Sequence, residues 1–497
     1  MAGPIYRFGP FALDPGAYRL LREDEVVPLS PQPLDLLAFF VRRGSTLATK
    51  EQLLAAVWPD TAVTDNALAQ AISELRRALG DEVAKPTYIQ TVPRRGYRFV
   101  APVTVVEPGP ERTARVRGRE TSSLEAQRAY SEGRLRLESL DEADANAALA
   151  DFQRAIELDP DFAAAYVGLA NAHFWLFEQS RYKLDPDQER LATAIERARC
   201  AIALDEGLAE AHATLSYLLA GAGQAEEAQA AARRAVALEP DVWAHHFRLG
   251  NASWGEARLV ALKQALALYP DFPFAHIQIA MVHVARQELG FAEQALRAGI
   301  AVRERQGGRR SRFPANGLHW LLGLLRLRSG DAAGAIAELD RELAWGQAQL
   351  YAREYATAAL VARGFALMQQ ERLDEAVASF ARALEVHASE TRARLGLVLA
   401  QRRRHLHAEA EDELVIAQGE IAALQARGRT ADAAMHTAAV LAIDGELDAA
   451  VRTLDAMLAE APPGPTGWSI PIEPLAARLL ARPRFATVLT RLAARAR

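Results

Sequence analysis

The sequence predicts a mainly α chain in which a small N-terminal α/β unit precedes an α-solenoid of helical repeats. Three observations lead there. Short alternating runs and a basic hairpin are confined to the first 103 of the 497 residues. From about residue 121 onward, apolar residues recur at helical spacing. One helix ending then returns in near-copies along that stretch, the mark of stacked repeats rather than of a single large core.

The N-terminal unit opens with Ile5 to Leu13, alternating apolar and polar residues before the turn formers Asp14-Pro15-Gly16. Ala17–Leu21 and Glu25–Leu29 continue as short extended pieces around the charged turn Arg22-Glu23-Asp24. Pro31 and Pro33 introduce a helix from about Leu34 to Arg43, with Leu34, Leu37, Phe40 and Val41 on one side and Gly44 as its stop. Thr49-Lys50-Glu51 starts a second helix that reaches Trp58 and halts at Pro59. Thr64 or Asp65 caps a third, which ends at Gly80.

In that third helix Leu68, Ile72, Leu75 and Leu79 define a buried stripe. Asn66, Gln70, Ser73 and Arg77 repeat the spacing two residues out of step, on the opposite face, with Glu74 and Arg76 beside them. Such side chains hydrogen-bond base edges and phosphates; an ordinary solvated helix face has the same pattern, so the context decides. After Gly80, Tyr88 to Val100 reads as two strands around a Pro93-Arg94-Arg95-Gly96 turn. Three helices and a basic hairpin describe a winged helix-turn-helix. Charge agrees modestly. The chain carries a net −5, but residues 66–103 hold six basic and three acidic side chains.

Gln52 to Trp58, Ala71 to Gly80 and Tyr88 to Phe99 strongly resemble the OmpR/PhoB-type effector domain in order and spacing, over about one fifth of the chain. The resemblance implies that the third helix lies in the major groove of promoter DNA and that Arg94 and Arg95 form a wing in the adjacent minor groove. It implies that Trp58 touches the DNA backbone and that Pro59 to Val63 is a loop able to meet RNA polymerase. The implied DNA-contacting set is Lys50, Trp58, Thr64, Asn66, Gln70, Ser73, Arg76, Arg77, Arg94, Arg95 and Tyr97. Ala69, Ala71, Ser73 and Glu74 dilute the basic character that many relatives carry on this helix, so base preference does not transfer from them. No phospho-receiver domain is expected ahead of the effector domain, and no membrane helix is expected after it, unlike in membrane-bound relatives.

Residues 104–122, with Pro108, Gly109 and Pro110 among alternating Glu and Arg, read as a solvated linker that lets the two parts move independently. Beyond it, Ala155 to Pro160, Ala201 to Glu206, Ala235 to Pro240 and Ala265 to Pro270 are copies of one ending, 46, 34 and 30 residues apart. Small-residue contacts lie between them, including Leu169-Ala170, Leu249-Gly250, Ala228 and Ala232. Later copies centre on Leu322-Gly323, Gly364 and Ala450. This part resembles tetratricopeptide-repeat proteins: about nine repeats over residues 123–463, closed by a helical cap at 464–497 that includes Trp468. The resemblance implies a superhelix with a groove for a protein or peptide partner.

Composition excludes several classes. Cys200 stands alone, which rules out an internal disulfide framework and Cys-rich metal sites. No run of 18 apolar residues spans a membrane, and Met1-Ala2-Gly3-Pro4 opens no signal peptide, so the chain reads as cytoplasmic. His405, His407 and Glu411 lack the geometry of a metal site, and Arg309 to Arg312 and Arg402 to Arg404 read as surface. Trp175, Trp243, Trp254, Trp320 and Trp345 read as repeat packing. No phosphate loop, nucleophile elbow or zinc-protease motif occurs, so neither catalysis nor a cofactor is expected. The reading is a bacterial-type transcription regulator, a homodimer on paired half-sites. The alternative is a repeat scaffold whose winged helix docks on protein.

Overall fold

The computed structural model describes residues 5–497 except 16–18, 23–24, 28, 30, 58–64, 84, 94, 107–120, 138–141, 181–185, 307–314 and 345–350. These residues fall into two compact units, one of residues 1–172 with 196–211 and one of residues 173–195 with 212–497.

The first unit opens on an antiparallel meander, β1 (Ile5–Phe8), β2 (Phe11–Asp14), β3 (Arg19–Arg22) and β4 (Glu25–Val27). Phe8, Phe11, Leu13 and Leu20 point inward from it. Helices α1 (Pro31–Arg43), α2 (Lys50–Val57) and α3 (Asp65–Leu79) follow, then the hairpin β5 (Ile89–Val92) and β6 (Gly96–Phe99). Leu34, Leu37, Phe40 and Val41 of α1 bury against the α3 stripe, and the rings of Phe8, Phe11, Tyr88 and Phe99 fill the space between sheet and hairpin. Thr49 and Gln52 form a reciprocal capping box at the head of α2: each backbone N–H donates to the other's side chain, at 3.1 and 3.3 Å.

One expectation for residues 104–122 is corrected at its start. Thr104–Val106 is a strand, β7, paired with β1 through Ile5↔Val106 and Arg7↔Thr104, giving the sheet order β4-β3-β2-β1-β7. The N-terminal sheet therefore takes in residues 104–106 as an edge strand; residues 107–120 of the linker lie outside the described residues. Arg128, on the first repeat helix Leu124–Leu137, forms an ion pair at 2.9 Å with Asp35 of α1, whose side chain is largely buried.

From Leu124 to Glu460 the described helices follow one another in nine successive pairs. Glycines set how closely neighbours approach. Phe152 is clasped by Gly133 and Gly168, where an added Cβ would stand 2.9 and 2.3 Å from the ring; Phe380 sits likewise between Gly364 and Gly396, at 2.4 Å from each. In the second unit, Leu262 and Leu339 lie over Gly250 and Gly323 in the same way. The C-terminal segment consists of short 3₁₀ turns, Ile470–Ile472 and Pro474–Ala481, and a helix, Phe485–Arg495. It buries Ile470, Leu479, Phe485, Val488 and Leu492 against Thr430–Ile443 and Leu447–Glu460. Among the described residues no helix is long and apolar enough to cross a membrane.

Candidate nucleic-acid interface

Helix α3 is amphipathic because Leu68, Ile72, Leu75 and Leu79 return at every turn, and all four are buried. The opposite face is thereby held outward. Gln70, Ser73 and Arg77 are exposed, Glu74 is half-exposed, and these four line one shallow surface depression with Ala78. Their spacing of three and four residues puts them on one stripe about two turns long, which suits side chains that must reach successive base edges.

Arg76 does not join them. It is 9% exposed, and its guanidinium turns inward, donating at 2.8 Å to the carbonyl of Ile89 and at 2.8 Å to Thr91 Oγ1. The expectation that it contacts DNA is corrected: position 76 lies four residues after Ile72, on the flank of the buried stripe, and the hairpin packs over that flank. Arg76 is a tie between α3 and β5. Asp81 completes the tie. Its carboxylate accepts the backbone N–H groups of Thr87, Tyr88 and Ile89 at 2.6, 3.1 and 2.8 Å, and it lies 3.9 Å from Arg76 Nε. Gly80, at φ +65°, supplies the left-handed turn that ends α3 and delivers Asp81 to this position. Sequence reasoning missed Asp81; an acidic residue directly after a helix-ending glycine and before a strand was the available signal.

The hairpin is anchored a second time. Ala48 and Tyr97 exchange backbone hydrogen bonds of 2.8 and 2.9 Å. Gly96 makes the approach possible, because at φ +136° a Cβ would stand 2.0 Å from the Ala48 carbonyl oxygen. Arg95 is exposed at the turn, where its N–H donates to the Val92 carbonyl at 3.0 Å, and Tyr97 is half-buried against the domain core. Lys50 is half-buried at the head of α2. Trp58, Thr64, Arg94 and the Pro59 to Val63 loop lie outside the described residues, as does the side chain of Asn66. The arrangement presents an exposed polar helix face and an exposed basic turn, both set by buried ties to one core.

The other constellations resolve plainly. The rings of His405 and His407 are 6.3 Å apart, and no group of three or more His, Cys, Asp or Glu could hold a metal among the described residues. Arg402, Arg403 and Arg404 pair with Asp444, Glu371 and Asp374. Arg309 to Arg312 and Trp345 fall outside the described residues.

Residues 24–99 match the family model described as "Transcriptional regulatory protein, C terminal", and residues 361–420 match a tetratricopeptide-repeat model. The chain is 36% identical over 104 residues to the transcriptional activator CadC of Escherichia coli, covering 21% of this chain and 20% of that protein. It is 35% identical over 102 residues to the cholera toxin transcriptional activator of Vibrio cholerae, covering 20% of this chain and 35% of that one. The solved DNA-binding domain of E. coli CadC aligns over its whole length with 21% of this chain, at 33% identity and a TM-score of 0.20. The chain thus spans between a fifth and about a third of the length of these curated relatives.

Proposed function

We propose, for a chain that joins an OmpR/PhoB-type effector domain to a tetratricopeptide-repeat array, that it is a transcription regulator whose winged helix binds promoter DNA and whose repeats receive the signal. One observation carries the reading: a helix with an exposed Gln70, Ser73 and Arg77 stripe is locked by Arg76 and Asp81 to a hairpin with an exposed Arg95. The stripe reads bases, and Arg95 with Lys50 holds phosphate, which positions the domain without specifying sequence. The relatives matched over this domain are named as transcriptional activators, which supports the DNA reading over docking on protein.

A single winged helix reads only a few base pairs, so the reading includes a homodimer on paired half-sites and a contact to RNA polymerase from the Pro59 to Val63 loop. The test is genome-wide mapping of bound sites, then fluorescence anisotropy of the full chain on the mapped sequences. Affinity at least a hundredfold above scrambled duplex at the same salt is expected. Equal affinity for mapped and scrambled duplexes would leave the scaffold reading in its place.

A further inference from the structure

Turning Arg76 inward changes the charge of the face that α3 presents. With that arginine tied to the hairpin, the outward stripe of Gln70, Ser73, Glu74 and Arg77 holds one cation and one anion. The stripe itself brings no net attraction to phosphate. Glu74 is its odd member, since a carboxylate set among phosphates is repelled by every duplex alike.

Its position is not peripheral. Glu74 lies four residues after Gln70 and three before Arg77, so on a 3.6-residue helix it stands within about 60° of both. Leu68, Ile72, Leu75 and Leu79 hold the opposite side of the helix in the core. Glu74 is half-exposed and lines the same shallow depression as Gln70, Ser73, Arg77 and Ala78. Exposed Ala69 and half-exposed Ala78 flank the stripe, and side chains that small let a groove wall come close.

Groove chemistry then selects one base. A carboxylate only accepts hydrogen bonds, whereas phosphates and the major-groove edges of guanine and thymine offer it acceptors. The donors in that groove are the exocyclic amines of cytosine and adenine. Adenine sets its N7 acceptor beside the amine, where it repels the second carboxylate oxygen; cytosine has no acceptor on that edge. Cytosine suits Glu74. Arg77 is the complement, a donor that accepts nothing, and it suits guanine O6 and N7. Three residues of helix rise about 4.5 Å, against roughly 3.4 Å per base pair, so the two side chains reach the same pair or neighbouring ones.

We infer that Glu74 is a specificity residue that reads a cytosine through its N4 amine, at or beside the guanine that Arg77 reads. At guanine or thymine the same carboxylate meets only acceptors, so the side chain that fits the cognate site also rejects others. The inference rests on the promoter-binding reading of α3 and names a base pair that this helix demands.

The experiment is selection by the full chain, Glu74→Gln and Glu74→Ala from a pool of duplexes randomised across the binding site. Sequencing and fluorescence anisotropy at one salt concentration follow. The unsubstituted chain is expected to select cytosine at one position, about tenfold or more over thymine there. Glutamine pairs its amide with adenine N6 and N7, so Glu74→Gln should move that one position from cytosine to adenine and keep the others. Glu74→Ala should lose the preference at that position and bind scrambled duplex more tightly, because a charge repelled by phosphate is gone. Cooperative thermal melts check that both variants fold. A site selected by the unsubstituted chain with no required cytosine would overturn the inference, whether or not the variants fold. A cytosine preference kept by both folded variants would overturn it as well, while leaving the promoter reading in place. A chain that selects no sequence at all removes the promoter reading itself, and the inference with it.

Discussion

Replacing Arg76 with alanine separates a structural arginine from a DNA-reading one. The guanidinium makes two buried or part-buried hydrogen bonds of 2.8 Å, to the Ile89 carbonyl and Thr91 Oγ1. A charged hydrogen bond contributes about 1.5–3 kcal/mol net, and a buried carbonyl left without its donor costs about 1–3 kcal/mol. Asp81 keeps its three backbone N–H donors, so its carboxylate is not stranded by the change. The expected loss at the α3–hairpin junction is therefore about 2–4 kcal/mol, or roughly 30- to 800-fold faster exchange of the hairpin amides if they exchange by local opening. Hydrogen exchange with mass spectrometry on the full chain, following residues 87–100, reads this directly. DNA affinity should fall with the same variant while the slope of log affinity against log salt stays constant, because Arg76 neutralises no phosphate. Arg77→Ala should do the reverse, sparing hairpin protection and weakening DNA binding. If Arg76→Ala left the hairpin protected and flattened the salt slope, the inward placement of Arg76 would be refuted.

Four further outcomes are expected. Gln70→Ala should cost about 1–3 kcal/mol at one base-pair position and little on non-specific duplex, measured by anisotropy on a panel of single-base operator variants. Arg95→Ala should lower the salt slope by about 0.9 for each phosphate that the arginine neutralises, for every sequence alike. Gly364→Ala should destabilise the repeats by about 1–3 kcal/mol in urea melts, since its new methyl meets the Phe380 ring at 2.4 Å and Gly396 holds the ring's other side. Stability should also depend on pH through His436, whose pKa is lowered to about 4 by burial and by Arg392, with Arg429 acting the same way and Glu390 and Asp432 opposing. With an unfolded value near 6.5, the unfolded state binds the extra proton between these limits. The contribution is complete above about pH 6.5 and lost as pH falls toward 4, about 3 kcal/mol in all, and His436→Gln should flatten that part of the melting profile.

Much of the molecule was legible in local pattern. The Leu68, Ile72, Leu75 and Leu79 stripe specifies both a helix and the face that must be buried, so the outward placement of Gln70, Ser73 and Arg77 follows from 3.6-residue periodicity alone. The repeats announce themselves through copied endings and through glycines and alanines where helices must approach, because each pair buries its face only against the next. These signals are short-range, and a sequence carries them openly.

Tertiary packing decided the rest. Arg76 sits at the border of the α3 stripe, where periodicity permits either direction; the hairpin arriving over that border, with unpaired backbone acceptors, turns the guanidinium inward. Thr104–Val106 is too short to declare itself a strand, and becomes one because β1, a hundred residues earlier, has an open edge. The return of the C-terminal segment is the furthest from local pattern. Trp320 and Trp468 look like ordinary packing residues along the chain, and only the return of residues 468–497 across the earlier repeats brings their rings edge-on at 6.4 Å. The local sequence determined that this chain has a helix face to expose and helices to stack. Which polar groups are buried, and where the C-terminal segment lies, depended on contacts between residues as distant as Arg286 and Ala496, which no local periodicity encodes.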